Sequence, residues 1–304
     1  MTNIFNLQKL GAWKAAVSAN FLPIARDTFL TFAKRYLNKR VKKFVFHRGP
    51  SWIAGAKEHR AETSPFFQLY PYEGPLRLKS VNAHSVVDLE LGIFFHRIPK
   101  SANSSLTASV AQIRDGKILS EAQQFKRQLR KSLRRPADLS LEEVESVATL
   151  LKFVFVRNPY SHVLSAYSSK VLANWKTDRQ IRIDVTSRAD VTEPPTFAEF
   201  CRFLASGGLY RNHHWYPQID YLVFPLSNYN FIGRVETIDS DFNRLATLIS
   251  GKETALRMLP EDPKHRTGAT QRVSETYTPE LYEMVYEMYK RDFEAFGYAK
   301  SHNV

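Results

Sequence analysis

Two stretches of this 304-residue chain place a strong cation at the end of an apolar run, followed at once by residues suited to open a helix. The first runs Phe94-Phe95-His96-Arg97-Ile98-Pro99-Lys100-Ser101-Ala102-Asn103-Ser104-Ser105-Leu106. A helix opening after Ser101 to Ser104 turns free main-chain N–H groups outward, and its dipole makes that end mildly positive. Small hydroxyl residues let an anion approach and add donors of their own, while Lys100 supplies a full charge at the mouth. Such a turn binds anions. It lacks the glycines of a GxxxxGK[ST] loop, so it is not a Walker A motif.

The second stretch is Phe153-Val154-Phe155-Val156-Arg157-Asn158-Pro159-Tyr160-Ser161-His162-Val163-Leu164-Ser165-Ala166-Tyr167. Arg157 leaves the apolar run at its carboxyl end, where open α/β sheets bind their ligands. Its planar fork of donors suits a terminal phosphate better than a lysine does. Ser165 lies two helical turns further on and faces the same side as the turn. Either stretch alone reads equally as an ordinary cap with a surface charge.

Strands and helices must hold these turns, and the hydrophobic pattern supplies them. Ile93 to Ile98 is a short apolar-rich run that Pro99 cannot simply continue, and Leu106 to Ile113 reads as a helix. A basic helix is predicted over Phe125 to Arg135, and another helix over Leu141 to Leu150. Leu151–Val156 is a near-continuous apolar run, as expected of a strand buried on both faces. Asn158 and Pro159 suit the N-cap and first position of the next helix. Thr196 and Glu199 form a capping box for a helix through Leu204, ended by Gly207-Gly208. Tyr229 to Val235 predicts a strand. Phe242 to Ile249 predicts a helix closed by Gly251, and a long final helix runs from Thr278-Pro279 to Gly297. This alternation predicts an α/β fold, a P-loop-like parallel sheet flanked by helices.

Residues 1–85 differ in character and are predicted as a basic helical extension and connection, with 86–304 as the main domain. Phe29, Phe32, Ala33, Tyr36 and Leu37 share one helical face. Lys34, Arg35, Lys39, Arg40, Lys42, Lys43 and Arg48 carry positive charge with no acid among them. Such a helix either packs on a core with a solvated basic edge or lies on an anionic membrane surface. Pro50, Pro65, Pro71, Gly74 and Pro75 make 49–85 read as irregular connection. The formal charge of +13 favours a polyanionic partner. The single cysteine, Cys201, excludes an intrachain disulfide framework and suits a reducing compartment. No run reaches the roughly 18 uninterrupted apolar residues of a transmembrane helix, and Met1 to Leu10 lacks the basic start of a signal peptide. The expectation is a cytoplasmic protein, peripheral on the inner face of the membrane if the basic helix meets lipid.

Taken together and in this order, the two turns resemble the donor-binding elements of sulfotransferases, in which a PK loop rich in small and hydroxyl residues precedes an arginine with a serine eight residues later. Within that family the closest likeness is to the carbohydrate, chondroitin 4-sulfotransferase-like group (family 2). His214-Trp215-Tyr216-Pro217 is similar to that group's HW-then-proline stretch, and Tyr229-Asn230-Phe231-Ile232-Gly233-Arg234-Val235-Glu236-Thr237 to its YDFIG–ET run. Asp292-Phe293-Glu294-Ala295-Phe296-Gly297-Tyr298 is similar to its acidic-Phe-x-x-Phe-Gly-Tyr ending. The resemblance covers about residues 90–300 and makes 86–304 a sulfotransferase domain. The group's cysteines between the HW and YDFIG blocks are missing from Gln218 to Asn228, and its membrane anchor has no counterpart, as in a cytoplasmic, bacterial relative.

The resemblance implies a donor, 3′-phosphoadenosine 5′-phosphosulfate, and a carbohydrate acceptor, which an acidic or lipid-linked glycan would satisfy. It implies that Lys100, Ser101, Ala102, Asn103, Ser104 and Ser105 grip the 5′-phosphosulfate, and that Arg157 and Ser165 grip the 3′-phosphate. Lys100 would also be catalytic, stabilising charge on the leaving phosphate oxygen. No metal is implied, and the sequence shows no compact cluster with metal-ligand spacing. Sulfuryl transfer is an in-line displacement, so the protein mainly positions and stabilises charge. A base must still take the acceptor proton, and histidine suits by pKa. His214 is the catalytic candidate, with His213 beside it. His96 is second, though strand alternation can turn it inward. His162 reads as a surface or packing residue, and Glu236 as a group that orients a base or binds acceptor.

Two more basic segments admit two readings each. The cations Lys126, Arg127, Arg130, Lys131, Arg134 and Arg135 form a solvated face or line an acidic-acceptor groove. Lys264 to Arg272 is a surface loop or one that closes Arg266 or Arg272 over phosphates. Two rival functions stay open: a non-catalytic polyanion- or membrane-binding protein, and a phosphotransferase with a degenerate phosphate loop that needs Mg²⁺ and a triphosphate. No helix-turn-helix, zinc-finger or RNA-recognition signature supports a nucleic-acid partner.

Overall fold

The computed structural model of the chain describes residues 51–115, 133–251 and 268–300. The chain divides into two compact units, Met1–Lys57 and Glu58–Val304, and the second holds the sheet and both turns. The predicted helical face at Phe29 to Leu37 and the basic run to Arg48 lie outside the described residues, as do Lys126, Arg127, Arg130, Lys131 and Arg266.

Residues 49–85, expected as irregular connection, instead carry three helices: α1 (Ser51–Glu62), α2 (Pro65–Leu69) and α3 (Leu78–His84). Pro65 does not break helix here; it stands in the first turn of α2, and Ser64 caps it by accepting from the Phe67 N–H. Then come β1 (Ser85–Asp88), β2 (Ile93–His96), α4 (Asn103–Asp115), α5 (Leu141–Glu145) and β3 (Leu151–Val156). Next are α6 (Pro159–Ala166), α7 (Arg179–Thr186), α8 (Phe197–Phe203), β4 (Phe231–Arg234) and α9 (Ile238–Ser250). The short α10 (Val273–Thr276) and the long α11 (Pro279–Phe296) complete the described elements. Of the basic helix predicted to end at Arg135, the last residues are extended: Arg134 bridges to Val87, and Arg135 precedes a 3₁₀ turn.

The four strands lie in the order β1-β2-β3-β4. β2, β3 and β4 are parallel, with Val154 opposite both His96 and Ile232. β1 pairs antiparallel with β2, so the predicted parallel sheet gains one antiparallel edge strand. The parallel strands need long crossovers; the one from β2 to β3 carries α4, while α2 before β1 and α9 after β4 add to the cover of the two faces. On one face Phe95 stacks on Phe153 at 4.9 Å, joined by Leu106 and Val110 of α4 and Phe242 and Leu245 of α9. On the other, Phe94 stacks on Phe66 of α2 at 5.8 Å, and Val154, Val156 and Phe224 fill in around them. That double coverage is why Leu151–Val156 reads as near-continuous apolar sequence, interrupted at Lys152. Each buried phenylalanine contributes about 1.5–3 kcal/mol.

A third cluster joins α6, α8 and α11 around Tyr160, Val163, Phe200, Trp215, Tyr289 and Phe293. It anchors α6 to the C-terminal helix, which fixes where the second turn points. Gly233 serves the sheet by having no side chain. It pairs with Phe155 across β3 and β4, and a Cβ there would sit 2.6 Å from the Phe155 ring.

Candidate active site

Both turns sit at the carboxyl ends of neighbouring parallel strands, β2 and β3, and so at the same edge of the sheet. After β2 the chain does not enter α4 directly. Lys100 has φ 67° and Ala102 φ 54°, left-handed values that cost a residue with a side chain roughly 1–3 kcal/mol each. Arg97 Nε donates to Asn103 Oδ1 at 3.0 Å, closing the loop across its base. The strain wraps the main chain around the N-terminus of the thirteen-residue α4. Lys100 stays partly exposed, whereas Ser101 is buried.

The second turn is built by a conventional start. Asn158 caps α6, accepting from the Tyr160 N–H at 3.0 Å, and Pro159 occupies the first turn. Arg157, one residue beyond β3, is thereby held at the helix mouth. Its Nε donates to Ser161 Oγ at 2.9 Å, one Nη to the Lys100 carbonyl at 3.3 Å and the other to Thr270 Oγ1 at 3.0 Å. Arg272 donates to Ser168 Oγ at 3.0 Å, so the described end of the 264–272 loop packs along the same helix. Ser165 is buried, two turns along α6. Two cations, two helix N-termini and several hydroxyls thus converge on one place. This array fits a ligand with two separated anionic groups.

One side chain joins the two turns. Gln218 is fully buried; its Oε1 accepts from Ser101 Oγ at 2.7 Å and from the Arg157 N–H at 2.8 Å. Its Nε2 donates to the Arg157 carbonyl at 2.7 Å. Asp292 of α11, also fully buried, accepts from the main-chain N–H groups of Gln218 and Ile219 at 2.8 and 2.9 Å. Burial raises the Asp292 carboxyl to about 7, against the hydrogen bonds from Gln218 and Ile219 that hold it lower.

His214 lies four residues before Gln218, in contact with His213 at 4.0 Å between ring centroids. Burial, then His213, Lys170 and Lys100, push the His214 pKa well down, so the ring is neutral near pH 7. Its Nδ1 is buried without a partner among the described residues. His213 is also lowered, first by desolvation and then by Lys170, with Asp184 acting the other way. Lys170 belongs to a π-helical turn, Tyr167–Leu172, that continues α6, and its charge lowers both histidines.

A family model described as the sulfotransferase family matches residues 83–299 of the chain. The chain belongs to the sulfotransferase family. Its curated relatives include Carbohydrate sulfotransferase 14 of Homo sapiens, 27% identical over 186 residues that span 58% of this chain and 49% of that protein. Carbohydrate sulfotransferase 12 of Mus musculus is 27% identical over 175 residues, 50% of this chain and 41% of the relative. Carbohydrate sulfotransferase 14 of Danio rerio is 29% identical over 182 residues, 55% and 48% of the two chains. The chain therefore spans about half the length of the curated relatives it matches. No solved structure gives a significant match.

The sulfotransferase sheet brings Lys100, Ser101, Ala102, Asn103 and Arg157 into one site, with Ser165 on the helix that starts there. Ser101 turns its hydroxyl to Gln218 and away from the mouth; Ser104 is exposed and Ser105 buried. His96 points inward, held by Ser85 at 3.1 Å and Tyr229 at 2.7 Å, and burial lowers it to about 3. It is a core residue. His162 is buried too, with neither ring nitrogen partnered among the described residues, and is likewise lowered to about 3 by burial and then by Arg157 and Lys100. Glu236 accepts from the Asn158 N–H at 2.8 Å and from Tyr298 at 3.0 Å, so its carboxylate braces the second turn. Sequence reasoning missed Gln218, Thr270 and Asp292 as site residues. Asp292 carried a signal, as the acid that opens the last shared block. Among the described residues no His/Cys/Asp/Glu group could hold a metal, and no helix is long and apolar enough to cross a membrane.

Proposed function

We propose that this sulfotransferase moves a sulfuryl group from 3′-phosphoadenosine 5′-phosphosulfate to a hydroxyl of a carbohydrate. The convergence of Lys100 and Arg157 at one sheet edge carries the reading, because it offers two cationic turns to one ligand with two phosphate positions. The names of the relatives supply the carbohydrate acceptor.

Arg157, with Thr270 and the α6 N-terminus, would hold the 3′-phosphate. That remote grip spends binding energy on alignment at the sulfate. Lys100 and the N–H groups opening α4 would stabilise charge on the leaving phosphate oxygen as its bond to sulfur breaks and the acceptor oxygen forms a new one. His214 is the base assigned to the acceptor proton. A depressed pKa keeps it unprotonated but makes it a weak base. Neutralisation of Lys100 by the bound anion would remove one of the smaller causes of that depression and raise the His214 pKa, while burial, the largest cause, stays in place.

A basic amphipathic segment at 29–48 would bring such an enzyme to an anionic membrane surface, which suits a lipid-linked or acidic glycan and a cytoplasmic, peripheral location. The test is transfer of labelled sulfate from the donor to a panel of soluble and lipid-linked glycans. Label on a glycan, abolished by Arg157→Ala, supports the reading. Folded protein that labels nothing, but phosphorylates an acceptor with ATP and Mg²⁺, replaces it with the phosphotransferase.

A further inference from the structure

Gln218 belongs to neither turn, yet it touches both. Its Oε1 accepts from Ser101 Oγ at 2.7 Å on the first turn and from the Arg157 N–H at 2.8 Å on the second. Its Nε2 donates back to the Arg157 carbonyl at 2.7 Å. The main-chain N–H and C=O of one residue therefore fix which end of the amide is oxygen and which is nitrogen. A neutral amide accepts from and donates to the same backbone unit without any change of protonation. Glutamate lacks the donor, and a thioether or alkyl chain offers neither a strong donor nor a strong acceptor.

Gln218 is itself held from behind. Asp292 accepts from its main-chain N–H at 2.8 Å and from its Nε2 at 3.4 Å, and binds Ile219 N–H at 2.9 Å. Both residues are fully buried, so water does not compete for these bonds. The PK turn, the Arg157 turn, the stretch after His214-Trp215-Tyr216-Pro217 and the Asp292 block of α11 all meet at this one amide. Gln218 meets the two turns and Asp292 across 61 to 117 residues of sequence, by tertiary contact alone.

We propose that Gln218 is a positioning residue that sets the distance between the two anion-binding turns, so that both phosphates of one nucleotide are gripped at once. This rests on the donor reading above. A ligand spanning two sites gains affinity from effective concentration only if the sites are held at its own span. Loss of Gln218 then weakens the bidentate ligand while leaving each half-site intact. A residue that merely supports the fold would weaken every ligand alike.

The test compares adenosine 3′,5′-bisphosphate with adenosine 5′-monophosphate and adenosine 3′-monophosphate, by titration calorimetry or by competition, on wild type and Gln218→Met. The expected result is a loss of about 10–100-fold for the bisphosphate and less than about 2-fold for each monophosphate. An equal loss for all three, or no loss for the bisphosphate, overturns the assignment. If Gln218→Met fails to fold, Ser101→Ala cuts only the tie to the first turn and must show the same selective pattern at smaller size. A wild-type protein that does not prefer the bisphosphate refutes the donor reading itself, whatever Gln218 does.

Discussion

The guanidinium of Arg157 reaches the main-chain carbonyl of Lys100 at 3.3 Å, so the second turn grips the first by its backbone. This contact also explains how the first turn holds its form. Lys100 and Ala102 adopt left-handed backbone that glycine would take freely, and bonds from outside the loop must keep them there. Arg157 supplies one such bond at the Lys100 carbonyl, and Arg97 closes the loop through Asn103. The first turn is thus preorganised in part by the arginine that would bind donor.

Lys100 is assigned to the transition state more than to the ground state. Lys100→Met is expected to lower turnover by about 10²–10³-fold, the size seen when a charge-stabilising donor is removed. Nucleotide affinity should fall much less, because Arg157 retains the remote phosphate. Steady-state kinetics beside nucleotide titration checks this. A loss confined to KM would move Lys100 from catalysis to simple binding.

The parts of the fold legible in sequence are those set by local rules. Leu151–Val156 is β3 to the residue, Asn158 and Pro159 open α6, and Thr196 with Glu199 makes a complete capping box. Lys100 and Arg157 were legible for the same reason, Arg157 standing directly after β3 and Lys100 following β2 across Arg97-Ile98-Pro99. Gln218 was not. Its meaning lies in bonds to Arg157, 61 residues away, and to Asp292, 74 residues away. Thr270 reaches Arg157 across 113 residues and carries no local mark. α2 was hidden by a different error, since Ser64-Pro65 is a helix start as well as a turn signal. β1, four residues long and directly after α3, is too short to show a period.

Gly233→Ala tests the sheet beneath the site. Its new methyl would meet the Phe155 ring, which is buried and cannot swing aside. The variant is expected to lose about 1–3 kcal/mol of stability by overpacking. Urea unfolding should show a lower midpoint with an unchanged slope.

Acid stability has two opposing contributions. Burial lowers His84, His96 and His162 to about 3, so between there and their ordinary 6.5 the native state binds fewer protons than the unfolded chain, and stability falls as pH falls. Asp292 is raised to about 7, so its contribution is present at low pH and is lost as pH rises toward 7. Each uncompensated proton gives a slope of about 1.4 kcal/mol per pH unit. His213 and His214 are lowered as well, so five histidines outweigh one carboxyl, and unfolding free energy should rise with pH from about 4.5 to 6.5. Asp292→Asn should steepen that rise, and His96→Gln should flatten it. Denaturant unfolding across this range reads both.

The pH profile of catalysis follows from His214. In the free enzyme its depressed pKa leaves it unprotonated through the mildly acidic range. The acid limb of kcat/KM assigned to it should therefore lie below the ordinary histidine pKa, and the limb of kcat above that of kcat/KM, because bound donor raises it. His214→Gln should lower kcat by about 10²–10⁴-fold and remove that limb. An unchanged profile in the variant would pass the role to His213.

The most direct test of the donor site is thermal unfolding with adenosine 3′,5′-bisphosphate, against AMP and ATP with Mg²⁺. At about 100 times its dissociation constant, a bound ligand adds about 2.7 kcal/mol to native stability. The predicted result is a rise in Tm selective for the bisphosphate in wild type and absent in Arg157→Ala. A folded wild-type protein with no selective rise, or an Arg157→Ala variant that keeps it, would contradict a donor site built from Lys100 and Arg157.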